Sequence, residues 1–480
     1  MDTINRRREQ RFALGVGSLI IACSVIFNEW TIARALSPDG EIESASFRII
    51  IGLIDLFGVL GGGFIITHPR YAKAPATTLV LGGSFVVTSL VIFTILEHFP
   101  SLIRVLNLSG IHYYALRGAY IVDDELVLRN RPSSIFTTSQ FKGELYNPSY
   151  SVEVPAMTYK AAYDKDGFRN SPFRTRSDIV VIGDSYIEFG HDNDDTFSKR
   201  LEMMSGLSST NLGTGWHGPF QYLSVLKRYG IAQHPKYALL CFFEGNDIGD
   251  IREYMQWKSG EDYWHFNLSS KNVFQRYVMV LQDLAFSTGT LAAQFTAPGA
   301  PQDSPSHDEL HPNLVVLQLG VETIKTVFLY KNETRSADEL LQSQEWNVLE
   351  QLFAEFKTIS HEHNIVPFVM FIPTKAHIYA EYSSASSGIN WAKIRDQQIS
   401  AKSNVETAMA RICKEVGVKL ISLTPVFERA AKRGKFLYYP FDTHWNSEAR
   451  QIAAWFVGRN ALDVQNRSVR TLEASVQPPQ

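Results

Sequence analysis

An α/β domain built on a parallel sheet, preceded by three transmembrane helices, is the architecture this sequence predicts. Three observations predict it. From about residue 173 onward, short apolar runs rich in β-branched and aromatic residues alternate with amphipathic helical stretches. Most of the polar motifs, rich in Gly, Asp, Asn and Ser, fall where an apolar run ends. Three long apolar stretches stand within the first hundred residues. Strand–helix alternation suits a parallel sheet covered on both faces, because each parallel crossover needs a covering element. Such sheets bind ligands beyond the carboxyl ends of their strands.

The apolar stretches cover residues 12–30, 49–67 and 77–99, each about long enough to cross a bilayer and with charges mostly confined to its ends. Asp55 is the exception and reads as a polar contact inside a helix bundle. Arg6, Arg7, Arg8 and Arg11 precede the first stretch, and Arg70 and Lys73 follow the second. The loop between the first two carries Asp39, Glu41 and Glu43 against Arg34 and Arg48. By the positive-inside rule the N-terminus is cytoplasmic, and everything after residue 99 faces the periplasm or the cell exterior. The expected organisation is therefore a membrane anchor over 1–100, seated in the lipid bilayer of the cell (inner) membrane, and a connector over 101–172 to which no chemistry is assigned. A catalytic domain over 173–460 follows, with an insertion or lid at 251–312, and a C-terminal tail over 461–480.

A chain of 480 residues has room for a large domain and more. Its net charge of -3 gives no sign of a nucleic-acid binder, which would carry a basic patch. Cys23, Cys241 and Cys413 lack metal-ligand spacing, so neither a disulfide framework nor a zinc site is expected. The acidic run 191–195 lacks the Gly and the distal Glu of a calcium loop and reads as a solvated loop. No metal and no cofactor is expected.

Strands are expected at 179–182, in a short run ending near Asn211, and at 237–243, 365–372 and 418–423. The clearest helix is expected over 337–361, where Trp346, Leu349, Phe353 and Phe356 recur at helical spacing as core residues. The first strand ends in Gly183-Asp184-Ser185, a tight turn that can expose a nucleophilic serine, with Tyr186 to Phe189 leading into a helix whose N–H groups favour negative charge. Near the C-terminus stand Asp442 and His444, which an extended segment would point to one side, with Asn446 or Ser447 capping the following helix. A carboxylate can orient an imidazole through one ring nitrogen and leave the other to deprotonate Ser185. The turn from Asn211 to Pro219 offers backbone N–H groups, Asn246 offers an amide at the end of the strand 237–243, and Lys375 follows another strand end.

In that order, Gly183-Asp184-Ser185, the Asn211/Gly213 turn, Asn246 and the Asp442/His444 pair resemble the four blocks of the SGNH/GDSL hydrolase superfamily. The resemblance implies a flavodoxin-like three-layer α/β/α sandwich with Ser185 as nucleophile, His444 as base and Asp442 as its orienter. It also implies an oxyanion hole made by the Ser185 N–H, the Gly215 N–H and the Asn246 side chain. A gapless reading from Asn211 places Trp216 where the family has its second Gly, which leaves Gly215 and Trp216 as alternative donors, and Glu244 stands where a Gly is usual. The Asp-x-His spacing, the Trp445-Asn446 pair and the Pro373-Thr374-Lys375 stretch are similar to the alginate O-acetyltransferase-like branch, which modifies exported polysaccharides. Asp184, Trp216, Asp247, Lys375 and Trp445 complete the candidates for the substrate rim.

The expectation is a serine esterase or O-acyltransferase acting on O-acyl groups, above all O-acetyl groups, of a carbohydrate. A transferase would need a membrane partner to deliver the acyl donor. A lipase acting on small or lipid esters, and a non-catalytic polysaccharide-binding scaffold, are the alternatives.

Overall fold

The computed structural model describes residues 2–26, 45–78, 88, 92–93, 120–146, 152–259, 313–328, 334–385 and 391–462. The chain divides into two units, Met1–Gly118 with Ser259–Gly299, and Ala119–Lys258 with Ala300–Gln480.

In the first unit, α1 (Asp2–Ile26) and α2 (Ala45–Thr67) pack on one another. Their contact is close enough that a Cβ added to Gly17 would meet the Gly62 carbonyl oxygen at 2.5 Å. The three transmembrane helices expected from the sequence must be corrected: among the described residues, no helix is long and apolar enough to cross a membrane. α1 gathers Arg6, Arg7, Arg8, Glu9 and Arg11 in its first half, α2 carries Arg48 and Asp55, and most of 77–99 lies outside the described residues.

The second unit begins where a featureless connector was expected, with two antiparallel pairs: β1 (Tyr120–Asp123) with β2 (Val127–Asn130), and β3 (Ile135–Phe141) with β4 (Met157–Ala162). Then comes the parallel sheet. Its strands are β5 (Ile179–Gly183), β6 (Ser209–Gly213), β7 (Tyr237–Phe243), β10 (Val366–Ile372) and β12 (Lys419–Ser422), arranged β12-β10-β7-β5-β6. A hairpin of β8 (Asn313–Leu319) and β9 (Glu322–Phe328), extended by β11 (Ser383–Ala385), forms a separate antiparallel sheet that the sequence pattern did not reveal. The expected lid at 251–312 begins inside a helix, Asp247–Ser259, and its remainder from 260 lies outside the described residues.

The apolar strands follow from burial on both faces. On one side Ile179, Val181, Leu239, Cys241, Met370 and Ile421 join one core, and on the other Val180, Ile182, Leu240, Phe242, Val369 and Phe371 join a second. Period-two alternation thus splits each strand between two hydrophobic layers, and a strand with no solvated face reads as a continuous apolar run. Trp346, Leu349, Phe353 and Phe356 all enter the second core from the helix Gln344–Glu362, and the single helix expected over 337–361 is two, Ala337–Leu341 and Gln344–Glu362.

The strand order has one consequence for chemistry. From β5 the chain moves outward to β6 and then crosses back to β7 on the other side, so the topological switch point lies between β5 and β7. Open α/β sheets form their ligand crevice there, outside the carboxyl ends of the strands. Ser185, the Thr214–Trp216 turn and Asn246 all follow those ends.

Candidate active site

β5 ends in Gly183, and Asp184 caps the four-residue helix Ser185–Glu188 by accepting the Tyr186 N–H at 2.9 Å. The helix is too short to supply much of a macrodipole, so the electrostatic help expected from a longer helix is small. Ser185 is half-buried, while Tyr186, Ile187 and Glu188 are buried beneath it.

The Asp442 and His444 side chains converge by a turn, where an extended segment was expected. Tyr438 bridges Trp445, Tyr439 N–H donates to the His444 carbonyl at 3.0 Å, and residues 440–444 bend between them. One carboxylate oxygen, Asp442 Oδ1, accepts the His444 backbone N–H at 2.9 Å and pairs with His444 Nδ1 at 2.5 Å. Asp442 Oδ2 accepts the Glu144 N–H at 3.3 Å. The loop that brings Glu144 there depends on Gly143: at φ 109° it occupies a region that favours glycine, and an added Cβ would meet the Phe441 carbonyl.

Burial alone would push the His444 pKa down. The charge and hydrogen bond of Asp442 outweigh that and raise it to about 9. The same pairing holds Asp442 below the ordinary carboxylate range despite its burial. His444 Nε2, buried as well, has no hydrogen-bond partner among the described residues, so no Ser185–His444 hydrogen bond is made in this geometry.

His444 nevertheless lies against the Ser185 turn. Its ring stacks on Phe189 at 4.7 Å between centroids and touches Tyr186 at 5.1 Å. Tyr186 ties the two segments from the other direction as well: its hydroxyl donates to the Thr443 carbonyl, and its carbonyl accepts the Trp445 Nε1–H at 2.9 Å. Asp184 and His444 feel one another's charge, yet burial dominates at Asp184 and pushes its pKa up to about 6.

The oxyanion candidates fare differently. Gly215 lies against the nucleophile, since a Cβ built on it would come within 3.8 Å of Ser185 Cβ. Its N–H, however, donates to Glu188 Oε2 at 2.5 Å, while Tyr163 donates to Glu188 Oε1 at 2.5 Å. A buried carboxylate thus takes the Gly215 amide. Asn246 donates through Nδ2 to Asp250 at 2.9 Å, and its Oδ1 is buried without a partner among the described residues. Glu244, in place of the family's glycine, accepts from Thr374 N–H at 2.7 Å and pairs with His377 Nδ1 at 2.8 Å, fastening the β7 end to the segment after β10.

Four proposed rim residues do not line a rim, the first being Asp184, buried as the cap of the Ser185 helix. Lys375 is buried, and its ammonium donates to the carbonyls of Tyr439 at 2.8 Å, Val327 at 3.1 Å and Pro440 at 3.2 Å and to the Thr326 hydroxyl at 3.2 Å. Desolvation pulls its pKa down to about 7. Trp445 is fully buried, and Asp247 accepts from the Tyr222 hydroxyl at 2.9 Å and the Phe243 N–H at 3.0 Å inside the fold. Trp216 remains 44% exposed at the site's edge. The acidic run at 191–195 is more than a solvated loop, because buried Asp195 accepts from Ser447 at 2.6 Å and from Arg450, pinning the helix Ser447–Asn460 that Asn446 caps.

Sequence reasoning missed Glu188, Tyr163 and Glu144. Their roles come from partners roughly 25 to 300 positions away, which no local spacing encodes. Glu144, Asp442 and His444 each place one potential ligand atom within 4.8 Å of the others, a separation that could hold a metal ion. His444 Nδ1 faces both carboxylates, 2.5 Å from Asp442 Oδ1 and 4.0 Å from Glu144 Oε1.

Residues 328–477, which include Asp442 and His444 but stop short of Ser185, match the family model described as ALGX, the SGNH hydrolase-like domain of acetyltransferase AlgX. This chain carries an SGNH hydrolase-like domain. It belongs among the esterase or acetyltransferase enzymes. No curated protein sequence matches. Among solved structures, the SGNH hydrolase-like chain is similar to a G-D-S-L family protein described as lipolytic from Desulfitobacterium hafniense, at 10% identity and TM-score 0.30, covering 60% of this chain and 99% of that one. It is similar also to Axe2, an acetylxylan esterase from Geobacillus stearothermophilus, at 10% identity and TM-score 0.31, covering 62% and 99%. An extracellular lipase from Streptomyces rimosus follows at 12% identity and TM-score 0.31, covering 59% and 99%. Likeness at these scores adds nothing about this chain's substrate.

Proposed function

We propose that this SGNH hydrolase-like domain removes or transfers O-acetyl groups on a carbohydrate, with Ser185 as nucleophile, His444 as base and Asp442 as the group that orients and charges the imidazole. The observation that carries this reading is the state of His444. One ring nitrogen is fixed by Asp442 at 2.5 Å, and the other is buried and unpartnered among the described residues, in a ring that packs on Tyr186 within the Ser185 helix and on Phe189 at its C-terminal end. A buried ring nitrogen needs a hydrogen-bond partner, and in the proposed reaction the Ser185 hydroxyl is that partner. Of the two hydroxyls in that turn, that of Tyr186 donates to the Thr443 carbonyl, which leaves that of Ser185 to act.

In the proposed reaction Ser185 Oγ gives its proton to His444 Nε2 and attacks the ester carbonyl. The Ser185 N–H and the Asn246 amide hold the resulting oxyanion. Collapse expels the sugar alkoxide, which takes the proton from His444, and leaves an acetyl-Ser185 ester. Water or a second sugar hydroxyl, deprotonated by His444, then takes the acetyl group and restores the serine. Water gives an esterase and a sugar gives a transferase.

The test is an assay of the purified full chain on acetyl esters with and without an oligosaccharide acceptor, comparing the wild type with Ser185→Ala. The reading predicts turnover that Ser185→Ala abolishes, and equal turnover by both proteins would end it. Acceptor-dependent acetyl-oligosaccharide formation marks the transferase branch.

A further inference from the structure

Glu144 and Asp442 stand 298 positions apart in the chain, yet the residues around them are fastened one after another. Leu145 N–H donates to the Phe441 carbonyl at 2.9 Å. Glu144 N–H donates to Asp442 Oδ2 at 3.3 Å. Thr443 donates twice to Glu144 Oε1, through its N–H at 3.2 Å and through its hydroxyl. The Tyr146 ring closes the same junction, meeting Phe441 edge-on with centroids 5.8 Å apart.

What this strap fastens is the turn that presents the imidazole. Asp442 Oδ1 serves His444 alone, accepting its backbone N–H and pairing with its Nδ1, while Oδ2 takes the Glu144 N–H. A carboxylate engaged at both oxygens is fixed against rotation, and the ring it holds is fixed with it. Glu144 Oε1 then grips Thr443, the residue between Asp442 and His444. That oxygen lies 4.0 Å from His444 Nδ1, beyond hydrogen-bond reach, so Glu144 acts on the ring through the turn. Its side chain is 44% exposed, where water screens its charge, and that charge reaches His444 as a lesser addition to the charge of Asp442. Hydrogen bonds so exposed contribute little to stability. Geometry is what they supply here.

We infer that Glu144 is a positioning residue for the reaction, clamping the Asp442–Thr443–His444 turn so that the imidazole meets Ser185 at a fixed angle. The inference rests on the function proposed above and adds a member to its machinery. Misplacing a reacting group by about 1 Å can cost a hundredfold in rate without touching substrate binding, so the clamp acts on kcat and leaves KM alone. An acceptor oxygen does the clamping. Glutamine keeps that oxygen and loses the charge, whereas alanine loses both and retains only the backbone N–H on Asp442.

The experiment compares wild type, Glu144→Ala, Glu144→Gln, Thr443→Val and the double variant Glu144→Ala/Thr443→Val on ethyl acetate. Rates are read on the alkaline plateau, above the His444 pKa of about 9, so that a change in protonation does not enter. The clamp predicts that Glu144→Ala lowers kcat about tenfold with KM within about twofold, and that Glu144→Gln restores kcat to within about threefold of wild type. Thr443→Val, which removes one of the two donors, lowers kcat about threefold, and the double variant is no slower than Glu144→Ala. A kcat for Glu144→Ala within about twofold of wild type, or a loss shared equally between kcat and KM, overturns the inference. Glu144→Gln no better than Glu144→Ala assigns the effect to charge and overturns the clamp. Should Glu144→Ala fail to fold, Thr443→Val decides, and an unchanged kcat there is the contradicting result.

A second readout separates the clamp from the reaction. The proton between Asp442 and His444 Nδ1 is followed by NMR in histidine-labelled wild type, Glu144→Ala and Glu144→Gln. Its exchange with solvent is expected to quicken severalfold in the alanine variant and to stay near the wild-type rate in the glutamine variant. One rate in all three proteins overturns the clamp. Ester turnover that survives Ser185→Ala overturns the catalytic reading alone and leaves this exchange result standing.

Discussion

Lys375 and His444 are both buried basic side chains that feel the charge of Asp442, and they are satisfied in opposite ways. The Lys375 ammonium is surrounded by three carbonyls and a hydroxyl, and burial pulls its pKa down to about 7. The His444 ring has one nitrogen locked on Asp442 and the other unbonded among the described residues, and its pKa is raised to about 9 because Asp442 overcomes the effect of burial. The fully bonded Lys375 holds the backbone of residues 439–440 just ahead of Asp442. In the proposed reaction His444 is the group that exchanges a proton.

The sharpest way to break that contrast is to remove the imidazole. His444→Ala is expected to lower kcat by about a thousandfold and, because buried Asp442 loses its partner, to lower the melting temperature as well, read from steady-state kinetics at a temperature where the variant is folded. A folded variant that keeps activity within about tenfold would make His444 a packing residue. Asn246→Ala is expected to cost about a hundredfold in kcat with KM less affected, as for one oxyanion donor. A loss of less than about threefold would move the donor elsewhere, and Gly215, whose amide is held by Glu188, would be the next place to look.

The pH dependence follows from His444. A base must be unprotonated in the free enzyme, so kcat/KM should rise about tenfold per pH unit up to about 9 and level off above it. Stability runs the other way. With its folded pKa raised above the unfolded value, His444 contributes stability that is fully present below about 6.5 and is lost as pH rises through about 9. A profile already flat from pH 6 would contradict the strong Asp442–His444 coupling. On the satisfied side, Lys375→Met takes the ammonium from three carbonyls, of which that of Pro440 keeps the Val327 N–H and the Thr326 hydroxyl, and should lower stability by roughly 2 kcal/mol, measured by denaturant unfolding, while activity falls far less than in His444→Ala.

The same contrast explains what could be read in the sequence. Ile179 to Ile182 reveal their strand because every residue is buried and alternate ones enter different cores. Asp442 and His444 are two positions apart, so their pairing is local and visible, although the chain joins them by a turn. Lys375, Trp445 and Asp247 looked like rim residues because they stand beside motif positions, and long-range partners bury each of them. Glu188 sits only three positions after Ser185, yet the fact that matters is its hold on Gly215 across the β5–β6 junction. The apolar stretches near the N-terminus were read by length and hydropathy. Among the described residues they give helices with charge inside them and none long and apolar enough to cross a membrane.

Covalent labelling reaches the central claim most directly. The full chain is treated with a fluorophosphonate at pH 9, digested, and the modified peptide sequenced by mass spectrometry, for the wild type and for His444→Ala. The account predicts a single label on Ser185 in the wild type and labelling slowed by orders of magnitude in the variant. Label on another serine, or equal rates in the two proteins, would contradict it.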